Sequence, residues 1–170
     1  MQEISVVTKS FGDAVEVEQV GLMFKVVSSM KEYYPKLMEY IKSQGVEDES
    51  IMPYARYIEV DWEAEYNRGA FGNFIAMFTK KWHFFVGFQS SRPLEASNEI
   101  LPHHYAEAKY LYFKHMGAYM NVGKSYKLMY AYAMENGIAL EAESFEFYLN
   151  DPKVVKQEEL ETELYIPIKG

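Results

Sequence analysis

Two short stretches near the C-terminal end set a carboxylate beside a phenol. Ser144-Phe-Glu-Phe-Tyr-Leu-Asn150 carries Glu146 and Tyr148, and Thr162-Glu-Leu-Tyr-Ile-Pro-Ile168 carries Glu163 and Tyr165. Alternate side chains of a strand share a face. Glu146, Tyr148 and Asn150 therefore stand opposite Phe145, Phe147 and Leu149, and Glu163, Tyr165 and Pro167 stand opposite Leu164, Ile166 and Ile168. The apolar sets are expected to pack beneath a helix, leaving a second face on which carboxylates and phenols meet. An ordinary solvated sheet face is the alternative. A carboxylate among aromatic rings attracts organic cations through Coulomb energy at reduced dielectric, and each ring facing the cation adds about 0.5–2 kcal/mol. A desolvated carboxyl of raised pKa can also act as general base toward water, with a tyrosine or protonated carboxyl returning a proton to the leaving atom.

Tyrosine is abundant well beyond these two strands: the 170 residues include fifteen Tyr, eleven Phe and two Trp. A buried Tyr needs a partner for its hydroxyl, which Leu, Ile and Val do not. So many phenols suggest a wet or ligand-lined apolar surface. A merely Tyr-rich core, with hydroxyls reaching water, is the alternative.

The elements that must hold these residues read as a repeat. Gly21-Leu-Met-Phe-Lys-Val-Val27 precedes Lys36-Leu37-Met38 and a Gly45 stop, while Tyr110-Leu-Tyr-Phe-Lys-His-Met116 precedes Lys127-Leu128-Met129 and Gly137. The Phe-Lys pairs lie 89 residues apart, the Lys-Leu-Met triplets 91 and the glycines 92, a period too long for a solenoid. Helical stripes follow: Met30, Tyr34, Leu37 and Ile41 in the first copy, and Val122, Tyr126, Met129, Tyr130 and Ala133 in the second, with Asn121 as N-cap. Pro35 places the start of the first helix only a few residues ahead of it, since an interior proline loses a hydrogen bond and clashes with the preceding turn. Strand-like segments follow each helix, at 54–60 and 82–88, then at 145–150 and 161–168. Each half reads β-α-β-β, an α+β chain with repeats at about 16–90 and 104–168.

Size and charge limit what such a fold can do. A chain of 170 residues suits one domain, here 1–170, with one sizeable core. Seventeen Lys and Arg against twenty-five Asp and Glu give a net charge of −8. That balance lacks the basic footprint of direct nucleic-acid binding, and an anionic membrane surface would repel it. The absence of cysteine excludes disulfides, thiolate metal sites and a thiol nucleophile, and suits a reducing cytoplasm. No apolar run reaches the ~18 residues of a spanning helix, and the N-terminal sequence lacks the pattern of a cleaved signal. With a first strand starting near Ile4, no room is expected for a helix-turn-helix ahead of it. The adjacent His103 and His104 would face opposite sides of a strand, and His83 and His115 lack companions at ligand spacing, so neither a metal nor another cofactor is expected.

In this order Gly117-Ala118-Tyr119, Glu135-Asn136-Gly137, Phe145-Glu-Phe-Tyr-Leu-Asn-Asp-Pro152 and Thr162-Glu-Leu-Tyr-Ile-Pro-Ile168 resemble the GyrI-like effector-binding family. The resemblance covers 105–168 well and the first half mainly through the repeat. It departs at Ala118, where the family has proline. It implies two pseudosymmetric β-α-β-β modules whose antiparallel sheets form a concave, aromatic-lined groove for small planar or cationic molecules. Family members include effector domains of AraC-type and MerR-type regulators, DNA gyrase inhibitors and hydrolases of cyclopropane-containing compounds. Carried over by position, Glu163 matches the family's acidic position near the C terminus, and Glu146 and Tyr148 its preceding Glu-x-Tyr. Glu163, Tyr148, Glu146, Tyr165, Tyr112 and Trp82 are the expected ligand-binding residues, with Trp62 and Phe84 as further walls, and Glu163 is the catalytic group if the protein is an enzyme. His83 aligns opposite Glu163, so the site is expected to be asymmetric. The expected role is binding of a hydrophobic or cationic aromatic compound without cofactor. Hydrolysis of a reactive xenobiotic, or a protein partner such as DNA gyrase or a transcription regulator, is the alternative. The apolar, glycine-punctuated stretch 62–78 reads as a lid, a packed loop or an edge strand.

Overall fold

The computed structural model describes residues 3–47 and 51–170. Eight strands form one antiparallel sheet: β1 (Ser5–Lys9), β2 (Gly12–Gly21), β3 (Pro53–Ile58), β4 (Trp82–Ser90), β5 (Leu101–Tyr105), β6 (Ala108–Met116), β7 (Glu143–Tyr148) and β8 (Glu161–Pro167). Helix α1 (Met23–Ser43) joins β2 to β3, α2 (Trp62–Asn67) and α3 (Ala70–Thr79) lie between β3 and β4, and α4 (Val122–Glu135) joins β6 to β7. The two β-α-β-β modules are thus β2-α1-β3-β4 and β6-α4-β7-β8.

Across the sheet the order is β1-β6-β8-β7-β3-β4-β2-β5. Between β1 and β2 lie only Ser10 and Phe11, and between β5 and β6 only Ala106 and Glu107. Three Cα steps reach at most about 11 Å, whereas six strand spacings in a flat sheet span about 29 Å. Both short links are satisfied only if the sheet curls until its edges approach, and Ser10 Oγ donates to the Tyr105 carbonyl at 2.9 Å. Phe11 then sits inside the curl, its ring 4.7–5.0 Å from those of Tyr110, Phe145, Phe147 and Tyr165. The sheet is a half-barrel with an aromatic concave face.

Helices α1 and α4 cover the opposite face. Val26, Leu37 and Ile41 of α1 and Val122, Met129 and Ala133 of α4 form one core with Val15, Val17, Phe84, Val86, Leu111, Leu164 and Ile166. The strand bounds and the buried helical positions repeat at 96 residues: Gly12 to Ala108, Val26 to Val122, Ser29 to Ser125, Tyr33 to Met129. Carried through the registers, this makes Ala55 the counterpart of Glu146, and these two are paired across β3 and β7 at the junction of the modules.

Three expectations need correcting. Gly21–Val27 is not the first strand of its module; β2 ends at Gly21 and α1 opens at Met23. The offset of 89 between the Phe-Lys pairs therefore matches a helix to a strand. Pro35 lies well inside α1, because burial of Val26, Tyr33, Leu37 and Ile41 along one face holds the helix ahead of it despite the lost hydrogen bond. The third correction concerns β7. Phe145 and Phe147 pack on the concave side around Phe11, so Glu146 and Tyr148 lie under the helices. Both faces of a curled, helix-covered sheet are apolar, so aromatic residues do not mark the helical side. The expectation holds for β8, where Leu164 and Ile166 face the helices and Tyr165 the concave side.

Gly87 serves this packing. A Cβ there would lie 2.4 Å from Cζ of Tyr54, whose buried ring crosses the glycine to donate to Glu16 Oε2 at 2.8 Å. Gly87→Ala is expected to destabilise the fold by about 2–3 kcal/mol through overpacking, measured as a lower urea midpoint at unchanged slope.

Candidate functional site

Three carboxylates sit within the aromatic interior, and their surroundings distinguish them. On the concave side Glu16, 2% exposed, accepts from Tyr54 at 2.8 Å, Tyr105 at 2.7 Å and Arg56 Nη2 at 2.5 Å. Arg56 also donates to Glu143 at 2.9 Å and stacks 3.9 Å from the Phe85 ring centre. This buried charge is matched by a cation of the chain itself.

Glu163 is on the same side. It accepts from Tyr165 at 2.7 Å and Tyr112 at 3.2 Å. Lys9 Nζ lies 3.9 Å from its Oε2, donates to the Tyr165 hydroxyl at 2.9 Å and stands 4.9 Å from the Tyr165 ring centre. Three of the six expected residues, Glu163, Tyr165 and Tyr112, therefore form one cluster, again with a cation of the chain in place.

Glu146 is different. It lies under the helices, 8% exposed, accepting from the Tyr148 hydroxyl at 2.9 Å and the Tyr126 hydroxyl at 3.1 Å. Among the described residues no cation pairs with it. Burial pushes its carboxyl up to about 7, against a smaller downward pull from the Tyr148 and Tyr126 hydrogen bonds. The Tyr34, Tyr57, Tyr126 and Tyr148 phenols are held well above their ordinary range, by burial first and then by Glu146, so they stay protonated.

The walls come from both modules. Tyr34 of α1 and Tyr119, just ahead of α4, meet the Tyr148 ring edge-on at 6.5 and 5.3 Å. Tyr126 of α4 lies against Trp62 at 5.3 Å. Trp62, Tyr130, Ala133, Ile138 and Leu140 line a cavity of about 310 Å³, so Trp62 and Tyr126 stand between that cavity and Glu146. Trp82 packs edge-on against Tyr57 at 5.8 Å and lines a second cavity of about 230 Å³ with Val20, Ile58 and His83. Phe84 is fully buried beside Tyr57.

The structure thus brings Glu146 and Tyr148 together, with Trp82 one ring away, and separates them by the thickness of the sheet from Glu163, Tyr165 and Tyr112. Tyr34, Tyr57, Tyr119 and Tyr126 are not among the ligand-binding residues expected from the sequence. Tyr34 and Tyr126 belong to the helical stripes, and their spacing carries no mark of a carboxylate beneath them. The segment 62–78 forms two helices. Asp61 caps α2 by accepting from the Ala64 amide at 3.0 Å; α2 stacks on α4 through Trp62 and through Tyr66 against Tyr130, and α3 lies beside α1. His103 lies 4.2 Å from the Tyr105 ring, and His104 reaches Asp13 at 2.7 Å.

The model of the GyrI-like small molecule binding domain matches residues 26–169. The chain belongs to this family. Solved structures share this fold at low identity. The chain in the cryo-EM structure of the EcmrR–DNA complex aligns at TM-score 0.75 and 14% identity over 98% of this chain, which spans 57% of that one. The structure of SAV2435 bound to tetraphenylphosphonium aligns at TM-score 0.57 and 13% identity, covering 99% of this chain and 94% of that one. A hydrolase from Listeria innocua aligns at TM-score 0.58 and 11% identity, covering 96% and 91%. These likenesses are of fold. No curated protein matches the sequence. Within the GyrI-like domain the described residues include no helix long and apolar enough to cross a membrane.

Proposed function

We propose that this GyrI-like domain binds lipophilic organic cations at Glu146, within the cage of Tyr34, Tyr57, Tyr119, Tyr126 and Tyr148. One observation carries the reading: of the three interior carboxylates, Glu16 and Glu163 face cations of the chain, whereas Glu146 has only phenols around it. A buried charge without a counter-ion costs several kcal/mol. A cation entering the cage removes that penalty and gains the faces of the rings. Entry requires Trp62 and Tyr126 to move, since they close the cage toward the cavity at α4. The bound tetraphenylphosphonium of SAV2435, which shares this fold, supports the ligand class.

Tetraphenylphosphonium and tetraphenylborate have nearly the same shape and opposite charge, so calorimetric titration with each separates charge recognition from hydrophobic uptake. The expected result is binding of the cation alone. Equal binding of both ions would leave the carboxylate without a role.

Hydrolysis is a second reading, favoured by the Glu146 carboxyl near 7. Such a group takes a proton from water and returns it near neutral pH, with Tyr148 and Tyr126 already aligned on it. Product formation from a cyclopropane-bearing electrophile, abolished by Glu146→Gln, is the expected result of this reading. Recovery of unchanged compound would reduce the role to binding.

A further inference from the structure

Helix α3 is built inside out. Phe71, Phe74, Ile75 and Phe78 fall at i, i+3, i+4 and i+7, the spacing that normally turns toward a core, yet they are 79, 58, 42 and 57% exposed. Met77 is 47% exposed beside them, no residue of α3 is buried, and the two less exposed apolar positions are the small ones, Gly72 and Ala76. On α1, which α3 adjoins, Phe24 and Val27 are 62 and 51% exposed. An exposed apolar stripe of this kind marks an interaction site.

The charges around it indicate the partner. From Tyr66 to Trp82 the chain has Arg68, Lys80 and Lys81 and no acidic residue, although its net charge is −8. Arg68 and Lys80 share Glu65, and Lys81 is exposed at the C-terminal end. A second copy of α3 is disfavoured, because the flanking cations outnumber Glu65, the one carboxylate that Arg68 and Lys80 share, and pairing brings that excess together. An apolar stripe flanked by a small excess of cations matches a bilayer surface, where aromatic side chains enter the interface and Lys and Arg meet acidic headgroups. We propose that α3 is a peripheral membrane-docking helix, lying in the plane of a bilayer surface that carries acidic lipids. The repulsion expected from the whole-chain charge is overcome locally, since screening confines it to about a Debye length, near 8 Å.

The test is flotation of the full chain with phosphatidylglycerol–phosphatidylcholine vesicles and with phosphatidylcholine alone. The expected result is partition into the acidic vesicles that falls with added salt, and falls about tenfold or more in Phe71→Ser/Phe74→Ser/Phe78→Ser. These side chains are exposed, so the melting temperature should not fall. Lys81→Glu provides an independent variant, expected to weaken partition into acidic vesicles and leave the phosphatidylcholine background unchanged. Failure of the wild type to float with acidic vesicles, or equal flotation of the serine variant, overturns the proposal. A dimer in light scattering that the serine variant disperses, without any vesicle binding, assigns the surface to a second copy instead. Neither result depends on whether Glu146 binds cations.

Discussion

Tetraphenylphosphonium affinity is expected to rise about tenfold per pH unit on the acid side of neutrality and to level off above about pH 7, and Glu146→Gln is expected to remove most of the binding. The sign follows from linkage. A cation binds the ionised carboxylate, and Glu146 titrates at about 7 in the empty cage because burial disfavours its charge. Below that pH each bound cation must expel a proton, and the apparent affinity falls with the ionised fraction. Binding also releases the proton measurably, so the heat of titration at pH 6 should depend on the buffer's ionisation enthalpy. Replacing Glu146 by Gln keeps the cage volume and an acceptor for one of the two phenols, turns the other contact into an amide donor to a phenol oxygen, and deletes the charge. A loss of about a hundredfold is the expected scale for a buried charge-assisted contact of about 3 kcal/mol. Glu163→Gln is the decisive control. Its carboxylate is already answered by Lys9, so tetraphenylphosphonium affinity and its pH profile should stay near wild type. Loss of binding in Glu163→Gln with Glu146→Gln unaffected would move the site to the concave side of the sheet.

The two Glu-x-Tyr pairs show how far sequence reading reached. The β-α-β-β order, the strand positions after each helix and the glycine stops at Gly45 and Gly137, both with positive φ, were legible because periodicity and turn chemistry are local. The face on which each pair sits was not. Parity relates residues within one strand but not between strands, and β7 and β8 pair in a register that sets Phe147 opposite Glu163. A one-residue change in that register would have placed both glutamates on one face. The concave side also needs its own apolar filling, supplied by Phe11 from a two-residue turn that no periodic pattern identifies.

The duplicated architecture explains why one carboxylate is left without a counter-ion. Glu146 and its counterpart Ala55 pair where the modules join, and the site draws Tyr34 and Tyr57 from one module and Tyr119, Tyr126 and Tyr148 from the other. Two like charges so close in a low dielectric would repel strongly, so a functional carboxylate at the junction calls for a small neutral residue opposite. Ala55 is that residue, fully buried. Ala55→Asp is accordingly a poor route to a stronger site, whereas the cage aromatics can vary as long as one phenol still donates to each carboxylate oxygen.

The same glutamate makes the empty domain less stable at neutral pH, and its neutralisation should show this. Glu146 has a folded pKa of about 7 against 4.5 for the exposed group. The folded state therefore keeps a proton that the unfolded chain releases, and stability is fully present below about pH 4.5 and lost as pH rises through 7. The difference corresponds to roughly 3 kcal/mol at full development. In urea unfolding at pH 8, Glu146→Gln is expected to be more stable than wild type by up to about that amount, and the two should converge toward pH 5. Other carboxylates shift the wild-type curve as well, so the difference between the two proteins is the quantity that isolates Glu146. Saturating tetraphenylphosphonium should raise the wild type at pH 8 and leave the variant unmoved. A destabilised Glu146→Gln at pH 8, with normal far-ultraviolet dichroism, would mean that the Tyr126 and Tyr148 hydrogen bonds to an ionised carboxylate outweigh its desolvation, and that the cage is built for the charge even when empty.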